Sequence, residues 1–203
     1  MSSVASTVRT MKQRDLFLLS DAALLDVIDS IESDDLDRPV PVEWSGKAGL
    51  TLRDTLAAHA FDEAWVPDVL AGLTADEVGD RWSGDLLGDD PIGAYRAIHA
   101  AATDAVNGEL DARSITHLSY GDFTTAEYLE HISIYRAFQA YVIGVFLGLD
   151  VEFEPRLIEL LDELVLPQAE QWRAMGVFPP EVPAPAGADA QTLLLAKTGY
   201  LVS

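Results

Sequence analysis

Apolar residues recur at helical spacing in four long stretches, and the polar positions between them mark where each helix starts and stops. From about 13 to 32, Leu16, Leu19, Ala23, Val27 and Ile31 fall near one face, and the acidic ESDDLD segment closes the run. The connection RPVPVEWSGKAG holds two prolines and two glycines and reads as irregular. Thr51 is placed as an N-cap for a second helix over about 52–71, with Gly72 as its stop. Residues 73–89 read as a loop that Trp82, Leu86 and Leu87 fold back on the core. Asp90 and Pro91 supply a cap and a first-turn proline, so a third helix spans about 91–106 before Asn107–Gly108. The segment SITHLSYGDF admits one short extended piece. Thr124 or Thr125 then caps the longest helix, which runs to about 147 with Gly148 as its stop.

Beyond this point a fifth helix is predicted over about 155–174 and a short one over about 189–198, separated by the proline-rich VFPPEVPAPAGAD. That segment reads as a surface strap, because the stretch after it is too short to fold alone. The pattern predicts an all-α protein, a four-helix bundle with additional C-terminal helices. It forms one domain over 1–203, with its bundle core at about 13–148 and the C-terminal helix and strap over 149–203.

Composition narrows the classes of function. With 34 acidic against 13 basic residues the formal charge is −21, which repels a phosphate backbone, so nucleic acid is not expected as a partner. The acids occur in scattered pairs such as Asp34–Asp35 and Asp89–Asp90, the pattern of a solvated acidic surface of the kind salt adaptation produces. No basic leader with an apolar run is read, and no stretch approaches the ~18 apolar residues of a membrane span. A soluble, cytoplasmic protein is predicted. The chain has no cysteine, so thiol chemistry would need a thiol brought by another molecule.

Candidate chemistry lies where polar residues interrupt apolar stripes. On the second helix the stripe Leu52, Leu56, His59, Glu63, Val66, Leu70 carries two such members. A carboxylate and an imidazole on a buried face suggest a pocket, a metal or an internal network; a His–Glu hydrogen bond inside an ordinary bundle accounts for them equally well. The fourth helix carries a wide stripe of Tyr128, His131, Ile132, Tyr135, Phe138, Gln139, Val142, Val145 and Phe146, with Glu127 on its flank. His131, Tyr135 and Gln139 form an i, i+4, i+8 ladder on it. His99, among small residues, and His117, in a loop, read as structural or solvent-exposed. Trp44, Trp65, Trp82 and Trp172 read as packing, and Arg136 as a salt-bridge partner or an anion holder.

Four segments carry a family resemblance. RPVPVEWSGKAGLTLRDTLAAHAFDEAW, with Trp44, Leu52, Arg53, Asp54 and His59, is similar to a tryptophan, loop, Leu-Arg-Asp and helix-histidine pattern. GDDPIGAYRAIHAAATDAV, YGDFTTAEYLEHISIYRAFQAYVIGVFLG and the closing GVFPPEVPAPAGADAQTLLLAKTG come after it in the same order. Together they resemble the DinB-like proteins, within them the mycothiol-dependent maleylpyruvate isomerase N-terminal-domain group. The resemblance implies a divalent metal, zinc or nickel, held by a helix-two histidine and a Glu-x-x-x-His pair from helix four, and activating a low-molecular-weight thiol.

His59 matches the first ligand. For the other two, a gapless register places Tyr135 and Gln139, whereas the literal motif falls on Glu127 and His131, eight residues earlier. Eight helical residues rise about 12 Å, and ligands of one zinc lie within roughly 4 Å of each other, so the two pairs cannot share a site. The gapless register is favoured. It leaves the metal site degraded, because a phenol that ionises near ~10 and a neutral amide bind zinc poorly. The resemblance then implies a polar pocket of His59, Glu63, Tyr135 and Gln139, open to a small-molecule or thiol ligand. The alternatives are a metal- and thiol-dependent transferase or isomerase using His59, Glu127 and His131, and a non-catalytic interaction protein that forms a homodimer.

Overall fold

The computed structural model describes residues 2–44 and 46–201, with side chains described from residue 12 onward. In chain order the elements are α1 (Ser2–Ile28), α2 (Leu52–Ala64), α3 (Val66–Leu70), α4 (Ala75–Val78), α5 (Pro91–Asn107), β1 (Ile115–Leu118), β2 (Gly121–Thr124), α6 (Thr125–Leu147), α7 (Pro155–Leu164), α8 (Ala169–Ala174) and α9 (Ala190–Thr198). Helix takes up 60% of the chain, against one two-stranded sheet, so the protein is mostly helical. No described helix is long and apolar enough to cross a membrane.

The chain divides into two compact units. One comprises Met1–Leu24 and Ala126–Ser203, the other Leu25–Thr125, and α1 runs from the first into the second.

In the second unit, α2 begins at Thr51, whose Oγ1 accepts from the Asp54 N–H while its own N–H donates to Asp54 Oδ2 at 2.8 Å. This reciprocal cap fixes where the helix starts and hence which face it turns inward. The predicted 52–71 helix is interrupted at Trp65 and resumes as α3. Pro67 has no N–H to give the Glu63 carbonyl, and its ring crowds that carbonyl. Gly72 closes α3 with φ +77, its N–H on Val69 O and the Leu73 N–H on Asp68 O, the two bonds of a left-handed helix stop. The loop expected over 73–89 contains α4, capped by Thr74, and is pinned by Asp68, which accepts from Arg81 and from Trp82 Nε1 (2.8 Å). Asp90 caps α5 through the Gly93 N–H, with Pro91 in the first turn. The single extended piece expected after α5 is instead a hairpin, Ile115 opposite Thr124 through Leu118 opposite Gly121.

In the first unit, α1 and α6 are joined by Arg136, whose Nε donates to Asp21 Oδ1 at 3.1 Å, and by Gln13, which donates to Glu130 Oε2 at 2.8 Å. Gln168 donates to the other Glu130 oxygen. The first helix, predicted over about 13–32, ends earlier, at Ile28. There the Glu32 and Asp35 side chains take over as caps of a short turn at Ser33–Asp35. The described buried positions of α1 are Gln13, Leu16, Phe17, Ser20, Asp21, Leu24, Val27 and Ile28, so the predicted stripe through Leu19 and Ala23 is out of phase in its middle. The helix predicted over 155–174 is split by Pro167 into α7, a short turn and α8. The proline-rich strap is held by Phe178, edge-on to Phe138, and by Tyr200, stacked on Phe138 at 4.7 Å.

Candidate functional site

On α2, His59 (2% exposed) and Glu63 (1% exposed) lie among the buried residues Leu52, Leu56, Ala60 and Ala64. They are one turn apart on one face, and α2 packs against α5 in the same unit. α5 buries Tyr95, Ala102 and Val106, and half-buries His99 beside them. The ligand atoms of Glu63 and His99 lie within 4.8 Å of each other. Thr103, one turn on, places its hydroxyl 3.4 Å from His99 Nε2 and so restrains the ring. A buried carboxylate is stable only with positive charge or hydrogen-bond donors close by. An imidazole and a carboxylate are also donor types that hold a divalent transition metal.

The four residues grouped as a pocket by the sequence divide between the two units, His59 and Glu63 in the second, Tyr135 and Gln139 in the first. Gln139 is buried (5% exposed), and its Oε1 has no hydrogen-bond partner among the described residues. Tyr135 is 39% exposed. In the literal register, Glu127 is exposed and His131 is half-buried, edge-on to Trp172 at 5.2 Å. Burial holds the His131 imidazole below its ordinary value, with the neighbouring Glu130 and Glu127 carboxylates pulling it back up.

The buried face of α6 differs from the stripe read in the sequence. After Thr125 in the first turn, its buried side chains are Tyr128, Leu129, Glu130, Ser133, Ile134, Arg136, Ala137, Phe138, Gln139, Ala140 and Ile143. Ser133, Ala137 and Ala140 are its fully buried small residues. Arg136 is a salt-bridge residue, the first of its two sequence readings, and it also donates to Ile132 O and lies over the Phe17 ring at 5.0 Å. His117, in β1, lies 2.8 Å from Asp122 Oδ1 on the exposed hairpin.

Sequence reasoning missed three residues. Asp21 sits in phase with Phe17, Leu24 and Ile28, and that phase was its only signal. Glu130 is buried between two glutamines that are remote in sequence. His99 acquires its significance from α2, which nothing on its own helix announces. Neither a family model, nor a curated protein, nor a solved structure matches the chain, and the chemistry of these residues therefore carries the functional reading.

Proposed function

We propose that the chain is a DinB-like helical protein, a four-helix bundle with additional C-terminal helices, which binds a divalent cation through Glu63 and His99. The observation that carries this reading is the approach of Glu63 and His99 to within 4.8 Å on two packed helices, with Glu63 buried. His59 lies one turn before Glu63 on the same buried face of α2.

The donor set implied by the family resemblance does not fit a metal. Tyr135 would offer a phenol from a solvent-exposed position and Gln139 a neutral amide, and neither competes for zinc at neutral pH. Glu63 and His99 on α2 and α5 do have the right chemistry: an imidazole and a carboxylate are donor types of zinc and nickel sites that keep positions open. On this reading α5 supplies, through His99, what α6 no longer provides. A cation held there would acidify a water or thiol bound to it. Burial on the face shared with Leu56 and Ala60 keeps Glu63 out of bulk water.

Because the chain has no cysteine, a reaction of the family type would use an external low-molecular-weight thiol, which makes thiol transfer or isomerisation the reaction class to assay first.

Elemental analysis of protein purified without a histidine tag tests the proposal. Near-stoichiometric zinc or nickel is expected, lost in Glu63→Gln and His99→Ala, with a chelator lowering the melting temperature of the parent only. Metal-free parent protein whose melting temperature ignores both chelator and added zinc would instead leave Glu63 and His99 as a structural hydrogen-bonded pair.

A further inference from the structure

Within the first unit, the end of α6, the connection after it, α7 and the start of α9 line a cavity of about 830 Å³. That volume falls in the ~300–1,000 Å³ range of small-molecule sites. One side chain ties its wall together. Gln191 on α9 accepts from the Phe153 N–H at 2.7 Å and donates to Val151 O at 2.7 Å, so the connection is fastened to α9 through one N–H and one carbonyl of its backbone. The cavity is thereby formed in advance, which spares a ligand the cost of ordering it.

The lining combines two chemistries. Tyr141, Val145, Ile158 and Leu193 supply apolar surface, and Leu193 leaves 42% of its area open to solvent. Around them stand Asp150, Glu152, Glu159, Asp162 and Asp189, against the single cation Lys197. Two of these carboxylates are engaged: Asp189 caps α9 by accepting from the Thr192 N–H at 2.7 Å, and Glu159 accepts from Arg156 at 3.0 Å. Asp150, Glu152 and Asp162 have no hydrogen-bond or ion-pair partner among the described residues.

We propose that this cavity binds a small amphipathic cation, an apolar chain or ring bearing one or more ammonium groups. An anion would meet the carboxylates, a neutral apolar molecule would leave them unused, and a bare ammonium would leave the apolar lining wet. Size favours a small molecule over a basic helix. Three helical turns, ~10 Å across and ~16 Å long, displace roughly 1,200 Å³, more than the cavity holds.

Calorimetric titration of the full chain with octylamine, octanol, octanoate and ethylamine at fixed ionic strength tests this. Octylamine should bind one molecule per chain, at least about tenfold tighter than the other three. The double variant Asp150→Asn/Asp162→Asn should weaken it about fivefold or more, while the charge-matched Asp37→Asn/Asp104→Asn, at sites of the other unit, should stay within about twofold of the parent. Leu193→Asn, at an exposed position that tolerates the change, should weaken octylamine and leave ethylamine unchanged. Equal losses in the two double variants would reduce the effect to general attraction by an acidic surface and overturn the site. So would octanol binding as well as octylamine, or a Lys/Leu helical peptide displacing octylamine with higher affinity.

Discussion

Replacing Arg136 by methionine removes one half of a buried ion pair and leaves the other half in place. Arg136 Nε and Asp21 Oδ1 are 3.1 Å apart, and the two side chains are 2% and 1% exposed. At that separation and an effective permittivity of ~20 the attraction is about 5 kcal/mol. Desolvating the two ions costs several kcal/mol each, so the intact pair nets little against an apolar pair of the same volume. The single variant recovers none of the Asp21 desolvation. It also loses the Arg136 bond to Ile132 O and the guanidinium packing on Phe17. Arg136→Met should therefore cost about 3–5 kcal/mol. The double variant Asp21→Leu/Arg136→Met removes both charges and should return to within about 1 kcal/mol of the parent, or exceed it. Urea denaturation followed by far-UV circular dichroism, at a common m-value, reads both numbers. A single-variant loss below about 1 kcal/mol, or a double variant as unstable as the sum of the two singles, would refute the account.

Three further outcomes are expected. Gly199 has φ +82, and a Cβ there would lie 2.5 Å from Pro180 O and 2.7 Å from Pro179 O, so Gly199→Ala should cost about 2 kcal/mol or more; an unchanged melting temperature would count against that packing of the strap. Because burial depresses the His131 value in the folded state, the unfolded chain binds more protons, and the stability His131 contributes is complete above its ordinary 6.5 and lost as pH falls through the folded-state value. Melting temperatures of His131→Phe from pH 8 to 5 should fall less steeply than the parent's, and an identical slope would assign the acid sensitivity elsewhere. Asp68→Ala removes the acceptor of Arg81 and of Trp82 Nε1 and should cost about 1–3 kcal/mol while red-shifting the emission of Trp82, read as the difference from a Trp82→Phe background; an unshifted spectrum would mean the loop is held by other contacts.

The starts of α2 and α5 and the stops of α3 and α6 were legible because each carries its own local chemistry. Thr51 and Asp90 satisfy first-turn N–H groups, and Gly72 and Gly148 adopt the left-handed stop. The breaks at Pro67 and Pro167 are present in the sequence but hidden by the pattern, because Val66 and Leu70, like Val165 and Ala169, carry the apolar i, i+4 spacing across them. The face of α6 was illegible for the opposite reason: almost every residue from Leu129 to Phe146 is apolar or small, so periodicity selects no face and packing decides. Of the candidate site, His59 and Glu63 stood out as polar members of an apolar stripe. His99 did not, because its meaning depends on which helix lies opposite, and that is information about pairs of elements that no single helix contains.

The division of the chain also sets an order of events at the ribosome. The second unit is one continuous stretch, Leu25–Thr125, whereas the first is assembled from Met1–Leu24 and Ala126–Ser203. Every residue of the second unit has been made by the time Thr125 is added. Phe17, Ser20 and Asp21 must wait through about a hundred further residues before α6 brings Arg136, an interval of roughly 5–20 s at ordinary elongation rates. During that interval Phe17 and Asp21 lack the Arg136 guanidinium that meets them in the finished chain. The acidic and hydroxyl residues on the same face, Asp21 and Ser20, keep that waiting segment wettable.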